Sequence, residues 1–139
     1  MEGPMELNTL IAICFLLAVA AIFGAKLWMR NRSSALQGKQ APKLAGPLGE
    51  AVRGDALLFF HSPGCAPCRA MHPQVDELAQ TDTRVHSVDV AQNMQAAQAF
   101  GLMGTPTVIA VRGGSVHRVQ IGAMSNAALR EMLAELDRS

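Results

Sequence analysis

Between Thr9 and Ala25 the chain reads TLIAICFLLAVAAIFGA without a single charge, and Leu27, Trp28 and Met29 carry the apolar stretch past Lys26. A helix that is apolar all round must be covered by a large core or by lipid. At 1.5 Å of rise per residue, about 20 residues cross a hydrocarbon layer of about 30 Å. Residues 9–29 therefore predict one transmembrane helix, with 1–8 as its N-terminal flank. Lys26 can extend its ammonium to the interface, and Trp28 suits the headgroup belt. A cleaved signal peptide is the competing reading, but its leading region should be positive. Here Glu2 and Glu6 are acidic, and no small-residue cleavage site follows. No Lys or Arg precedes the apolar run, whereas Lys26, Arg30, Arg32, Lys39 and Lys43 follow it, which predicts a cytoplasmic C-terminal side. Cys14 falls mid-span and reads as a small apolar residue facing lipid or a partner helix.

The rest of the 139 residues leave room for one globular domain. From Asn31 to Pro47 the sequence mixes polar residues, Gly and Pro without periodicity, so residues 30–46 read as a linker and 47–139 as the domain. A net charge of +1 with no long basic run excludes the electrostatic footprint of a nucleic-acid binder. Three cysteines are too few for a disulfide-stapled scaffold. Cys14 is remote; Cys65 and Cys68 are a pair.

Leu48 and Val52 suit a short amphipathic helix. Ala56 to Phe60 (ALLFF) form a continuous apolar run of the kind buried on both faces of a parallel strand. Met71, Val75 and Leu78 then recur at helical spacing, with Pro73 inside the pattern as a kink. Val85 to Val90 predict a strand, Met94 to Phe100 a short helix, and Thr107 to Val111 a second apolar strand. Gly113-Gly114 signals a hairpin to Val116–Ile121. Leu129, Met132, Leu133 and Leu136 close the chain as an amphipathic helix capped by Ser125. This order predicts an α/β domain: a parallel strand pair joined by a crossover helix, plus an antiparallel hairpin, in one mixed sheet flanked by helices. In such sheets the site lies at the carboxyl ends of the strands, where Cys65 falls.

Two cysteines three apart at a helix start can close a small disulfide. The first keeps its sulfur near unsatisfied backbone N–H groups and the positive end of the helix dipole, which favours its thiolate. In such motifs the nucleophilic thiol falls from about 8.5 to about 7 or lower, near the optimum for attack. Cys65 is thus the expected nucleophile on a substrate disulfide, and Cys68, one turn in, the thiol that resolves the mixed disulfide. Pro67 sits in the first turn, where its missing N–H costs nothing.

The run SPGCAPCRAMHP resembles the active-site segment of the thioredoxin family: C-x-P-C, a basic residue, and a helix-kinking proline, here Pro73, five residues after the second cysteine. GLMGTPT resembles the family's segment before its cis-proline, which makes Pro106 the expected cis residue opposite the cysteines. VRGGSVHRVQIGAMSNAALREML resembles the terminal hairpin, glycine (Gly122) and helix. The resemblance covers roughly Leu48 to Leu136 and implies a thioredoxin-like thiol–disulfide oxidoreductase. It acts on protein disulfide substrates and needs no cofactor beyond the Cys65–Cys68 disulfide. A thioredoxin reductase would recharge it in the cytoplasm, or a membrane thiol-electron carrier if the domain is periplasmic. The resemblance also assigns active-site support to Pro67, Thr105 and Pro106, and to Gly64 and His61 at two places where the chain departs from the family. Gly64 stands where the family has an aromatic residue, and His61 where a tryptophan is usual. The buried acid that typically helps deprotonate the second cysteine falls at Phe59. His61 can then be a substitute proton acceptor or simply a packed or exposed histidine. Thr105 stands where general thioredoxins more often carry isoleucine and oxidising or isomerase-like relatives often threonine, leaving the direction of electron flow open.

Three other readings compete. His61, Cys65, Cys68 and His72 make an H-x3-C-x2-C-x3-H run with zinc-like ligands, but a structural zinc site usually gathers a second pair from a distant segment, so no metal is expected. His86 and His117 have no partner by spacing and read as solvent-facing strand residues. The eight methionines are scattered at core-like positions. A non-catalytic thioredoxin-like interaction module is opposed by the intact cysteine pair. A periplasm-facing oxidase, isomerase or cytochrome-maturation reductase is opposed only by the charge asymmetry around the first helix.

Overall fold

Five consecutive buried side chains, Ala56 to Phe60, make strand β1 (Ala56–His61) the centre of the domain. The structure, a computed structural model, describes the backbone of residues 4–138 and the side chains of 6–31 and 35–138. A strand buried on both faces needs a layer on each. Leu57 and Phe59 face one core with Met71, Val75 and Leu78 of α3 (Ala66–Thr81) and Leu129 and Met132 of α5 (Asn126–Ala134). Leu58 and Phe60 face the other, with Val52, Phe100, Ile109 and Val116, under α2 (Gly46–Ala51) and α4 (Met94–Ala99). The sheet order is β2-β1-β3-β4, with β2 at Val85–Asp89, β3 at Thr107–Arg112 and β4 at Ser115–Ile121. β1 and β2 run parallel through the α3 crossover, and β3 runs antiparallel to both β1 and β4. The expected mixed sheet flanked by helices is therefore present. Its hairpin turns at Gly113 (φ 56°) and Gly114 (φ 80°), left-handed conformations that glycine adopts without a Cβ penalty. Ser125 caps α5 through its hydroxyl, which accepts from the Ala128 N–H at 3.2 Å.

Helix α1 runs from Pro4 to Ser34, longer at both ends than the expected span of 9–29. After Met29 nothing in Arg-Asn-Arg-Ser-Ser stops a helix, and the first glycine comes at Gly38. Within it Glu6–Asn31 is long and apolar enough to cross a membrane, and its large apolar side chains from Leu7 to Met29 lie exposed. Cys14 is exposed too.

The chain divides into two compact units between Ala35 and Leu36, within the stretch 30–46 expected as a linker. Its first residues belong to α1, and the rest lie on the domain. The Gly38 N–H donates to the Val116 carbonyl (2.7 Å), the Val116 N–H to the Lys39 carbonyl (2.8 Å), and the Ala41 N–H to the Gly114 carbonyl (2.8 Å). Gln40 bridges Ser115 in antiparallel register, and Leu36, Ala41 and Leu44 pack against the second core. β4 is an edge strand, and this strap pairs the N–H and C=O of Val116 at its start. Gly49 of α2 fits tightly under it: a Cβ there would run into the Leu44 carbonyl.

Two histidines also differ from expectation. His86 is half-buried, and burial lowers its pKa. The Nε2 of His117 lies 3.3 Å from a Glu135 carboxylate that also binds Arg118 at 2.6 Å, a partner 18 residues away that spacing does not reveal.

Replacing Ala41 by proline deletes the donor to Gly114 while leaving every fully buried core side chain in place. The Ala41→Pro chain should lose about 1 kcal/mol or more of stability, read as a lower urea midpoint at unchanged slope. A midpoint equal to wild type would return residues 36–44 to the status of a free linker.

Candidate active site

β1 delivers the chain to the carboxyl end of the sheet at His61, and the loop Ser62-Pro63-Gly64 turns it into α3. The turn is closed by the Cys65 N–H donating to the Ser62 carbonyl at 3.3 Å. Gly64 has φ of 76°, a left-handed conformation that favours glycine over the aromatic residue the family carries there. Cys65 is the N-cap of α3, with extended backbone (φ −80°, ψ 103°), and its sulfur accepts the N–H of Cys68 at 3.3 Å. That places Sγ among the unpaired donors at the positive end of the helix. Pro67 lies in the first turn and is exposed.

Cys65 and Cys68 form a disulfide with Cα atoms 5.2 Å apart. The two sulfurs have different surroundings. Cys65 is partly exposed, whereas Cys68 is 1% exposed and belongs to the core with Phe59, Met71 and Val75. Across the sheet end the Thr105–Pro106 peptide is cis, as the sequence leads one to expect. Register puts Thr107 opposite Phe60, so Thr105 and Pro106 lie beside the loop that precedes Cys65. The Ser62 and Thr105 hydroxyls are 2.7 Å apart and tie the two segments together. The Gly122 N–H donates to the Pro106 carbonyl at 2.8 Å, and the buried Thr107 hydroxyl donates to the Gly104 carbonyl at 2.7 Å, so the cis segment is held from both sides.

His61, at the end of β1, stacks on Phe59 with ring centroids 5.4 Å apart. His72 of α3 meets both: its ring is edge-on to His61 at 4.5 Å and to Phe59 at 5.3 Å. The pKa of His61 lies below its ordinary value of 6.5, chiefly through burial and then through the neighbouring His72; Asp89 and Asp76 act in the opposite direction. A depressed histidine pKa means that the unfolded chain binds the proton more readily. His61 therefore withdraws stability as pH falls below about 6.5.

Of the expected site residues, Cys65, Cys68, Pro67, Gly64, His61, Thr105 and Pro106 all gather at this end of the sheet. Ser62 was not foreseen, although a serine closing the strand and a threonine before the proline are both small hydroxyl residues able to meet. By spacing His72 reads only as a metal ligand; its place beside His61 follows from the way α3 packs back on β1. Among the described residues no three His, Cys, Asp or Glu side chains converge to hold a metal.

A half-exposed sulfur at a helix start, a sealed sulfur one turn on and a cis-proline across the sheet end define a dithiol–disulfide exchange site. The sequence model of the Thioredoxin family matches residues 50–135, and the chain belongs to that family. It is a thioredoxin-like thiol–disulfide oxidoreductase. The chain is 30% identical to thioredoxin of Bacillus subtilis over 87 residues, 60% of this chain and 84% of that protein. It is 34% identical to thioredoxin 1 of a Nostoc species over 80 residues, 55% of this chain and 75% of that one. Among solved structures, Fasciola hepatica thioredoxin superposes with a TM-score of 0.55 at 29% identity, covering 63% of this chain and 86% of that chain.

Elemental analysis of the purified, reduced protein should find no stoichiometric zinc, and the domain should fold in the presence of a chelator. Near one equivalent of zinc would restore His61, Cys65, Cys68 and His72 as a ligand set.

Proposed function

We propose that this protein spans the membrane once through α1 and reduces protein disulfides with a Cys65/Cys68 dithiol held on the cytoplasmic side. The observation that carries the reaction is the Cys68 N–H aimed at the Cys65 sulfur at the start of α3, with the Cys68 sulfur sealed behind it. Cys65 attacks a substrate disulfide; one substrate sulfur leaves as thiolate and a mixed disulfide forms. Cys68 then attacks Cys65, the second substrate sulfur departs, and the Cys65–Cys68 disulfide remains. Two electrons have moved from the dithiol to the substrate, with no redox group other than the two sulfurs. Gly64, Thr105 and Pro106 form the surface that receives the substrate chain, with Pro67 shaping the first turn and His61 at the end of the strand beside Phe59 and His72.

Sidedness rests on charge. Five basic residues follow the apolar run of α1 and none precedes it, which favours a cytoplasmic domain. The glutathione poise there keeps such a pair mostly reduced, and a thioredoxin reductase would return electrons to it.

Cys65→Ser should abolish disulfide reduction, whereas Cys68→Ser should still attack and trap substrates as mixed disulfides on Cys65, visible on non-reducing gels. Equal trapping by both variants, or none by either, would sink the assignment of roles.

For sidedness, alkaline phosphatase fused after Ser139 needs an oxidising compartment and should be inactive, while a cytoplasm-active reporter at the same place should work. An active phosphatase would put the domain outside, recharged by a membrane thiol-electron carrier and serving as an oxidase, isomerase or maturation reductase.

A further inference from the structure

Cys68 poses a proton problem. In the disulfide form Cys68 is 1% exposed, and its core neighbours Phe59, Met71 and Val75 cannot take a proton. A thiol so enclosed must hand its proton to a neighbouring group before it can attack. The position behind it, where a carboxylate would serve, is the phenyl ring of Phe59.

Helix geometry places a titratable group one turn along. His72 follows Cys68 by four residues on α3, a spacing that puts both on one face with Cβ atoms about 5–6 Å apart. Helical side chains tilt toward the N-terminus, so the His72 ring leans back over the turn that holds Cys68. Its other neighbours are fixed: Phe59 edge-on at 5.3 Å and His61 edge-on at 4.5 Å.

We propose that His61 and His72 work as one proton-accepting unit for the resolving Cys68, with His72 the member one turn from the thiol and His61 the member that shares the proton toward the sheet rim. This deepens the dithiol reading and rests on it. In the resolving step the Cys68 thiol gives its proton to the imidazole pair and the thiolate attacks the Cys65 sulfur. The Cys65–Cys68 bond forms as the bond from Cys65 to the substrate sulfur breaks, and the departing thiolate takes a proton from solvent.

The surrounding charges suit an acceptor. Burial and the second imidazole keep His61 neutral near pH 7, ready to receive a proton. Asp89, its register partner on β2, and Asp76, one turn beyond His72 on α3, favour the cation once the proton arrives. Asp89 and Asp76 are the carboxylates that act on His61 from β2 and α3.

The test separates the two chemical steps in the full chain in detergent. Reduced protein in which the exposed Cys14 is replaced, Cys14→Ser, serves as the wild-type background and is mixed with limiting 5,5′-dithiobis(2-nitrobenzoic acid): the first nitrothiolate released reports attack by Cys65, the second reports resolution by Cys68. The variants His72→Phe and His61→Phe keep a packed ring and remove the acceptor nitrogen. In each, the second phase should slow roughly tenfold or more near pH 7 and rise in proportion to hydroxide, whereas the wild-type second phase should fall off only below about pH 6.5. A first phase that persists shows the site is folded; should it vanish, His72→Gln and His61→Gln are read the same way. A second phase with wild-type rate and pH profile in either variant overturns the unit, as does loss of the first phase in all four, which would mark a packing role. Absence of any nitrothiolate release by wild type would instead overturn the dithiol reading itself.

Discussion

The Cys68 N–H pointing at the Cys65 sulfur from 3.3 Å is the contact on which the rest of the domain depends. It exists only if α3 starts at Cys65, since one residue later the sulfur would lie inside the helix and lose the unpaired donors of the first turn. α3 can start there only if β1 ends at His61 and a three-residue loop reverses the chain, which Gly64 permits with its positive φ. β1 in turn ends there because its buried run ends: Phe60 is the last fully enclosed side chain. Position of the sulfur is therefore set by how far hydrophobic burial carries the central strand.

The same dependence explains how much could be read in advance. ALLFF has one stable environment, a strand between two layers, and Met71, Val75 and Leu78 have one helical face to bury, so β1 and α3 were legible from side chains alone. The cis peptide at Pro106 was legible because Thr-Pro at that distance from C-x-P-C resembles one family. The strap over 36–44 was not, because its attachment is mainly backbone to backbone along the edge of β4, and backbone groups carry no sequence signature. A stretch with a glycine and a proline before α2 looks the same whether it floats or docks. His61 beside His72 was hidden for another reason. The residues are eleven apart, and only the packing of α3 on β1 brings their rings together.

Tethering and chemistry place opposite demands on the surface. The large apolar side chains of α1 from Leu7 to Met29 are exposed within their own unit, and in the proposed membrane-spanning arrangement lipid would hide them at roughly 25 cal/mol per Å². The domain needs the reverse, a surface with one reactive atom and little else to attract non-specific contact. Pairing the start of the β4 edge with the strap serves that end, since an open edge invites strand addition by other chains.

Phe59 is the substitution that reorganises the site. A buried carboxylate at that place costs several kcal/mol in desolvation unless it is paired, whereas a phenyl ring enclosed by Leu57, Met71 and Val75 contributes about 1.5–3 kcal/mol by its burial. Stability therefore favours Phe59, but the exchange removes the acceptor behind Cys68. An acceptor has to lie where water can still solvate its cation, and the rim formed by the end of β1 and the second turn of α3 is such a place: His61 and His72 are both half-buried, with Phe59 as their floor. Moving the proton to the rim also makes it accessible to the carboxylates of Asp76 and Asp89, which a site deep in the core would exclude. The two imidazoles and the apolar ring beneath them are thus parts of one arrangement, in which the gain in core packing is coupled to a proton-accepting station nearer the surface.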